Sequence, residues 1–207
     1  MVDPYQALQA ERHALCDLFA ELEPNEWDQP SLCTGWRVRD VAAHASLLVS
    51  IPRWRLVAGV LARRGDVNRY MAATVPRRGD RSISSLRTDL QQLVGSGAIA
   101  PLGRPVDSAI DAFIHQLDVA VPLNRPIRNE PSRLRWMADG MVGAGGAIGS
   151  RQRVAGLRLV ATDISWHYGT GPEIVGPVSA LLLAGCGRAA LDHELDGPGR
   201  SELIGRR

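Results

Sequence analysis

Residues Asp107 to Leu123 read DSAIDAFIHQLDVAVPL, and this stretch decides the fold of the chain. Its apolar residues recur every three or four positions, which is the period of a helix with one buried face. They are Ile110, Phe113, Ile114, Leu117 and Val121. A helix with such a face needs other elements to cover it, so the sequence predicts an amphipathic helix packed inside a helical bundle.

A polar stripe runs beside that apolar face and consists of Asp111, His115 and Asp118. Side chains four residues apart are neighbours on a helix surface, so one rigid element presents a carboxylate next to an imidazole. Both groups are ligands of zinc, and the spacing therefore indicates a candidate metal site. A solvated Asp–His pair explains the same spacing, since such pairs are common on helices.

The chain has 207 residues, of which 45% are hydrophobic, and a formal net charge of +2. That length suits one domain, or one domain with a small appendage. The charge does not favour a nucleic-acid partner, and no apolar run approaches the length of a membrane span. The N-terminal segment carries Asp3, Glu11, Asp17 and Glu21, which excludes a signal peptide. We therefore expect a cytoplasmic protein without nucleic-acid or membrane partners.

The three cysteines, Cys16, Cys33 and Cys186, are far apart and form no CxxC motif. Neither a disulfide framework nor a thiolate zinc site is indicated, so all three are predicted to be plain small side chains. All 24 basic residues are arginine, because the sequence contains no lysine. This excludes Schiff-base chemistry and a Walker-type phosphate site, so any anion is held by arginine or by backbone amides.

Apolar periodicity predicts several helices before residue 150, with no strand pattern between them. Their predicted spans are 3–22, 37–49, 52–61, 82–93, 107–121 and 131–151. The last of these is weakened by its glycines. The polar, arginine-rich segment 65–81 is predicted to be a loop with at most a short turn.

The hydrophobic pattern changes toward the C-terminus. Alternating side chains predict a strand over 157–162, and 164–168 continues it or pairs with it. The segment 169–177 is predicted to be a turn region, and an apolar helix follows over 178–188. The change of period places a domain boundary near 150–155.

His44 lies on the second predicted helix, within the apolar stripe that contains Val41 and Leu48. An inward histidine is usually a hydrogen-bonded core residue, and that interpretation stays open here. His44 is also a candidate partner for Asp111 and His115, because a bundle can bring two helices together around a metal ion. Two imidazoles and one carboxylate leave coordination positions open, which is typical of catalytic rather than structural zinc. The sequence has no HExxH, GxSxG or P-loop motif that would indicate another chemistry.

Three segments carry a family resemblance. They read WDQPSLCTGWRVRDVAAHA from Trp27 to Ala45, DAFIHQLDVAVPL from Asp111 to Leu123, and GLRLVATDISWHYGTGPEIVGPVSALLLAGCGR from Gly156 to Arg188. In this order they resemble the entry to the second helix, the later metal helix and the small C-terminal domain of the mycothiol-dependent maleylpyruvate isomerase family, within the DinB-like metalloenzyme superfamily. The resemblance implies a mainly α fold, with a DinB-like four-helix bundle and its metal site over 1–150 and a small α/β domain over 156–207.

The resemblance also implies which residues act. His44 and His115 match the two metal histidines of the family, whose usual metal is zinc and whose thiol is mycothiol. Asp111 stands where the isomerase has a glutamate and is one methylene shorter, so it ligates the metal directly or through a water. Asp118 is the reserve ligand, or it hydrogen-bonds a ligand imidazole. The C-terminal domain of the family contributes an arginine to the site, which points to Arg188 as the catalytic arginine.

Two functions from different classes follow. The first is a metal-dependent, mycothiol-type isomerase or S-transferase, in which a metal-bound thiol adds to a small electrophilic substrate that bears a carboxylate. Arg188, or less strongly Arg37 and Arg39, would hold that carboxylate. The second is a non-catalytic bundle of the same fold that binds a metal or a ligand, because fold similarity does not transfer a substrate. Both are compatible with a monomer or a homodimer.

Overall fold

The computed structural model of the protein describes residues 2–99, 103–144 and 149–206. It consists of two compact units, one spanning Pro4–Ile127 and the other comprising Arg128–Arg207 with the residues that precede Pro4. Helices dominate, and a small three-stranded sheet lies in the second unit, which confirms the predicted fold class. None of the helices in the described ranges is long and apolar enough to cross a membrane.

The first unit is built from helices α1 to α7, and its described residues contain no strand beyond an isolated bridge between Pro30 and Arg37. The helices are α1 (Pro4–Ala20), α2 (Val38–Ala45), α3 (Leu47–Ser50), α4 (Arg53–Leu61), α5 (Val67–Gly79), α6 (Ile83–Leu93) and α7 (Pro105–Ala120), with a 3-10 helix at Pro24–Asp28. Between Ala109 and Ala120 every residue of α7 except Asp111 is buried. The stretch that predicts the fold is therefore the central helix of this unit, and α1 packs along it.

The core of the first unit combines apolar stripes from several helices. Its fully buried members include Leu15, Phe19, Val38, Val41, Leu86, Leu90 and Val119. Trp27 of the 3-10 helix is also fully buried, and its ring lies 5.3 Å from that of Phe19. This packing fixes α2 against α7, which are the two helices that carry the candidate metal ligands.

The prediction of a loop over 65–81 is wrong, because Val67–Gly79 forms helix α5. Asp66 caps this helix by accepting a hydrogen bond from the backbone N–H of Arg69 at 3.0 Å. Tyr70 is buried on its inner face. The helix buries a narrow apolar stripe, and the many arginines on its other faces hide that stripe in the sequence.

The second unit contains four helices and three strands in its described residues. They are α8 (Pro131–Val142), α9 (Ser150–Arg153), β1 (Arg158–Ala161), β2 (His167–Tyr168), β3 (Glu173–Gly176), α10 (Val178–Gly185) and α11 (Arg200–Gly205), with a 3-10 helix at Asp192–Glu194. The sheet order is β2-β1-β3, in which β1 pairs antiparallel with β2 and parallel with β3. The predicted strand and helix are present as β1 and α10. Strand β3 lies within 169–177, which the sequence predicts as a turn region.

The two units divide between Ile127 and Arg128, whereas the sequence places a domain boundary near 150–155. Helix α8 accounts for the difference, because it packs against α10 of the second unit. Its Met141 side chain is fully buried and lies where a Cβ on Gly185 of α10 would stand. Helical periodicity identifies α8 but does not show which unit it packs against.

Candidate metal centre

Two helices of the first unit position the predicted metal ligands. His44 is the penultimate residue of α2, and Asp111 and His115 lie one turn apart on α7. The start of α2 is fixed by a capping interaction, in which the backbone N–H of Arg37 donates to the Asp40 carboxylate at 2.8 Å. Because α2 packs against α7, its last turn brings His44 over the polar stripe of α7.

The three side chains converge. Asp111 Oδ1 lies 3.8 Å from His44 Nε2 and 3.5 Å from His115 Nε2. The two imidazole rings meet edge-on, with their centroids 4.7 Å apart. One ligand atom from each of the three residues lies within 4.8 Å of the other two. Two ligands about 2.0–2.1 Å from a tetrahedral zinc lie roughly 3.3–3.4 Å apart, so small side-chain movements would complete a site.

Asp118 lies on the other side of the His115 ring and belongs to a different group of atoms. Its Oδ2 accepts a hydrogen bond from His115 Nδ1 at 2.9 Å, and its side chain is fully buried. The backbone carbonyl of Asp118 accepts a hydrogen bond from the N–H of Leu32 at 3.0 Å. This hydrogen bond leaves Nε2 of His115 facing Asp111, and it is the contact expected of Asp118 in the second of its two predicted roles.

Cys33 is a residue that sequence reasoning missed. The sequence predicts a plain small side chain, but its thiol donates a hydrogen bond to Asp118 Oδ2 at 3.0 Å. Cys33 lies in the connection between the 3-10 helix and α2, where no periodicity marks inward residues. Only the packing of this connection on α7 places the thiol beside His115.

His44 is held mainly by packing. Its ring centroid lies 5.2 Å from that of Trp36, and its Nδ1 is buried without a hydrogen-bond partner in the described part of the chain. The side chains of His44 and His115 are 18% and 5% exposed, whereas that of Asp111 is 52% exposed. The cluster is therefore closed on the imidazole side and open to solvent beside Asp111.

The charges of Asp111 and His115 stabilise each other. Burial disfavours the imidazolium form of His115, but attraction to Asp111 and hydrogen bonds to Asp111, Asp118 and Cys33 outweigh it and raise the pKa of His115 well above its usual value. Desolvation likewise opposes the charge on Asp111, yet its interactions with His115 and His44 hold the pKa of the carboxyl well below its usual range. These interactions therefore favour the charged forms of both His115 and Asp111.

Arg12 adds a buried positive charge near this pair. Its guanidinium donates to the carbonyl of Ser96 at 2.8 Å. Burial lowers the pKa of Arg12, while the charge of Asp111 acts in the opposite direction. The sequence analysis does not identify Arg12 as a buried residue. A signal was present, because Arg12 follows Leu8 by four residues and precedes Leu15 by three, which places it on the core stripe of α1.

Two of the predicted arginines, Arg37 and Arg39, form ion pairs with other residues of the first unit. Arg37 forms ion pairs with Asp40 at 3.0 Å and Asp80 at 2.8 Å, and Arg39 lies 3.1 Å from Asp28. These contacts give both arginines a structural role at the start of α2. Arg188 belongs to the second unit, just beyond the end of α10, where its backbone N–H donates to the carbonyl of Leu183 at 2.9 Å.

The sequence profile of the family described as "Mycothiol maleylpyruvate isomerase N-terminal domain" matches residues 8–113. That match covers half of the chain. The chain belongs to this family. The matched region includes His44 and Asp111, and it ends just before His115 on the same helix. No curated protein matches the sequence.

Two solved structures resemble this chain in fold, and both are of a mycothiol-dependent maleylpyruvate isomerase. The crystal structure of the mycothiol-dependent maleylpyruvate isomerase matches with a TM-score of 0.63 and 13% sequence identity, covering 94% of this chain and 91% of that chain. A histidine-to-alanine mutant of the mycothiol-dependent maleylpyruvate isomerase matches with a TM-score of 0.58, and the match again covers 94% of this chain and 91% of that chain. At this low identity the likeness establishes the fold alone.

Proposed function

We propose that the protein is a zinc-dependent, thiol-using enzyme of the mycothiol type, acting as an isomerase or an S-transferase on a small electrophilic substrate. One observation carries the proposal: the imidazoles of His44 and His115 and the carboxylate of Asp111 converge on one point. Their arrangement leaves coordination positions free on the solvent side, as catalytic zinc requires. The family membership supports the same chemistry.

The residues fit the metal by their chemistry and by their spacing. Two imidazole nitrogens and a carboxylate oxygen are the donor set of many catalytic zinc sites. Although Asp111 is shorter than the glutamate expected from the resemblance, its Oδ1 already lies 3.8 Å from His44 Nε2 and 3.5 Å from His115 Nε2. Direct ligation by Asp111 is therefore the geometry that we propose. Bound zinc would lower the pKa of a coordinated thiol, so that a thiolate is available at neutral pH.

The protein side chains then have separate roles. Asp118 keeps the proton of His115 on Nδ1, which leaves the lone pair of Nε2 for the metal. Trp36 packs on the His44 ring and limits its rotation. The exposed edge beside Asp111 is the side from which a thiol and a substrate would enter.

The substrate class rests on the family. The solved relative is called a maleylpyruvate isomerase, and we propose a related unsaturated carboxylate for this chain. Because the sequence has no lysine, an arginine is the candidate to hold the carboxylate, and Arg188 is proposed from the resemblance alone. Addition of the thiol followed by its expulsion would give isomerisation, whereas retention of the thiol would give S-transfer.

Metal content and thiol-dependent turnover test the proposal. Purified wild-type protein is expected to hold about one zinc per chain, as a site with three protein ligands predicts, and to consume maleylpyruvate only with mycothiol present. The His44→Ala variant should lose both properties. His13→Ala is the matched control, because His13 is exposed on α1, and it should keep both. Zinc content unchanged in His44→Ala would refute the site, and a zinc-loaded protein without turnover would favour the non-catalytic, metal-binding bundle.

A further inference from the structure

The Nδ1 side of His115 carries a second set of metal-ligand atoms. Cys33 Sγ lies 3.0 Å from Asp118 Oδ2 and 3.9 Å from His115 Nδ1, and the latter two atoms are 2.9 Å apart. A thiol, an imidazole and a carboxylate thus meet within 4.8 Å of one another. They include none of the ligand atoms of the first site, although His115 belongs to both sets through its two ring nitrogens.

Backbone hydrogen bonds hold the thiol in place. The N–H of Cys33 donates to Ser31 Oγ at 3.2 Å, and its carbonyl accepts from the N–H of Trp36 at 2.9 Å. The adjacent Leu32 is tied to the carbonyl of Asp118 at 3.0 Å. The loop that carries Cys33 is therefore fixed directly to α7, and the sulfur does not need a conformational change to face His115.

We propose that Cys33, His115 and Asp118 form a second metal site, selective for thiophilic divalent ions such as Cd²⁺. Thiolate is a soft ligand and selects soft metals, whereas the nitrogen and oxygen donors of the first site suit zinc. In zinc sites, bonds of about 2.3 Å to sulfur and about 2.0–2.2 Å to nitrogen and oxygen place the ligands roughly 3.3–3.6 Å apart, and the larger Cd²⁺ ion needs somewhat wider separations. The observed separations of 2.9, 3.0 and 3.9 Å bracket that range.

Binding at this second site replaces two hydrogens that now point at Asp118 Oδ2. The thiol proton of Cys33 leaves to solvent, and the Nδ1 nitrogen of His115 exchanges its proton for the metal. His115 then keeps its remaining proton on Nε2, where Asp111 Oδ1 at 3.5 Å accepts it. An imidazole protonated at Nε2 cannot ligate zinc through that atom until this second proton is also lost, so occupation of the second site weakens zinc binding at the first. The competition rests on the zinc site proposed above, but the binding of Cd²⁺ by Cys33 does not.

Cadmium titration of the metal-free full chain tests the proposal, because cadmium–thiolate bonds absorb in the ultraviolet. Wild-type protein should show this charge-transfer absorption, saturating at one bound thiolate per chain. Cys33→Ser should lose the absorption and bind Cd²⁺ at this site about tenfold or more weakly, as loss of a metal ligand predicts. Cys16→Ser is the matched control, since Cys16 is a half-buried free cysteine on α1, and it should titrate like wild type.

The His44→Ala variant separates this proposal from the zinc site. It should retain the cadmium–thiolate absorption, because His44 belongs only to the first set. In wild-type protein, Cd²⁺ bound through Cys33 should release zinc and abolish thiol-dependent turnover, and this inhibition should be absent in Cys33→Ser. Absorption that persists in Cys33→Ser, or its absence from folded wild-type protein, would overturn the second site whatever the zinc content proves to be.

Discussion

Replacing Asp118 by asparagine should weaken zinc binding without removing a ligand. Asparagine keeps the shape of the side chain but loses the charge that accepts the hydrogen bond from His115 Nδ1 at 2.9 Å. Hydrogen bonds to charged groups contribute about 1.5–3 kcal/mol and neutral ones about 0.5–1.5 kcal/mol, so the loss is about 1–1.5 kcal/mol before any change of tautomer. If the asparagine amide turns its NH₂ group toward Nδ1, the His115 proton moves to Nε2 and zinc binding becomes weaker still. We expect a 10–100-fold loss of affinity, or about 1.4–2.8 kcal/mol.

The assay is competition for zinc against a chromophoric chelator, with folding checked by circular dichroism. Asp17→Asn is the control, because Asp17 is exposed on α1, whereas the proposed ligands lie on α2 and α7. It should leave zinc affinity within about twofold, because an exposed residue outside the site is not coupled to it. Equal zinc affinities for wild type and a folded Asp118→Asn protein would refute the orienting role of Asp118.

Three further outcomes follow from the structure. Zinc affinity should rise with pH by up to about tenfold per unit, because zinc displaces a proton from His115, whose pKa is raised; a flat pH profile would contradict this. In metal-free protein, the attraction between the His115 imidazolium and Asp111 should stabilise the fold fully below about pH 6.5, the ordinary pKa of histidine. This stabilisation should be lost as the pH rises through the raised pKa of His115. The melting temperature should therefore fall above neutrality in the wild type but not in His115→Gln. Gly79→Ala should destabilise the fold by about 1–3 kcal/mol in chemical denaturation, because its Cβ would clash with Asp40 Oδ1, whereas Gly97→Ala meets open space and should have little effect.

The elements with a wide apolar stripe could be predicted from the sequence. Helix α7 carries its core residues at helical spacing, and the structure confirms this helix, although it also buries the polar residues His115 and Asp118 and leaves only Asp111 exposed between Ala109 and Ala120. Helix α5 could not be predicted in the same way, because its inward residues are few and its outward arginines dominate the pattern. Strand β3 is short and bounded by glycine and proline, so its sequence indicates a turn, although its hydrogen bonds to β1 make it a strand.

The residues of the candidate site, too, could be predicted only in part from the sequence. His44, Asp111 and His115 could be selected because each is a polar ligand on or beside an apolar stripe, and helical spacing depends only on local sequence. The packing of α2 on α7 decided that they meet, and the docking of a loop on α7 brought Cys33 to the opposite side of the same imidazole. Local sequence therefore determined which faces carry metal ligands. Only the tertiary structure decided which nitrogen of His115 faces which partners, because that depends on contacts between residues more than seventy positions apart, such as Cys33 and Asp118.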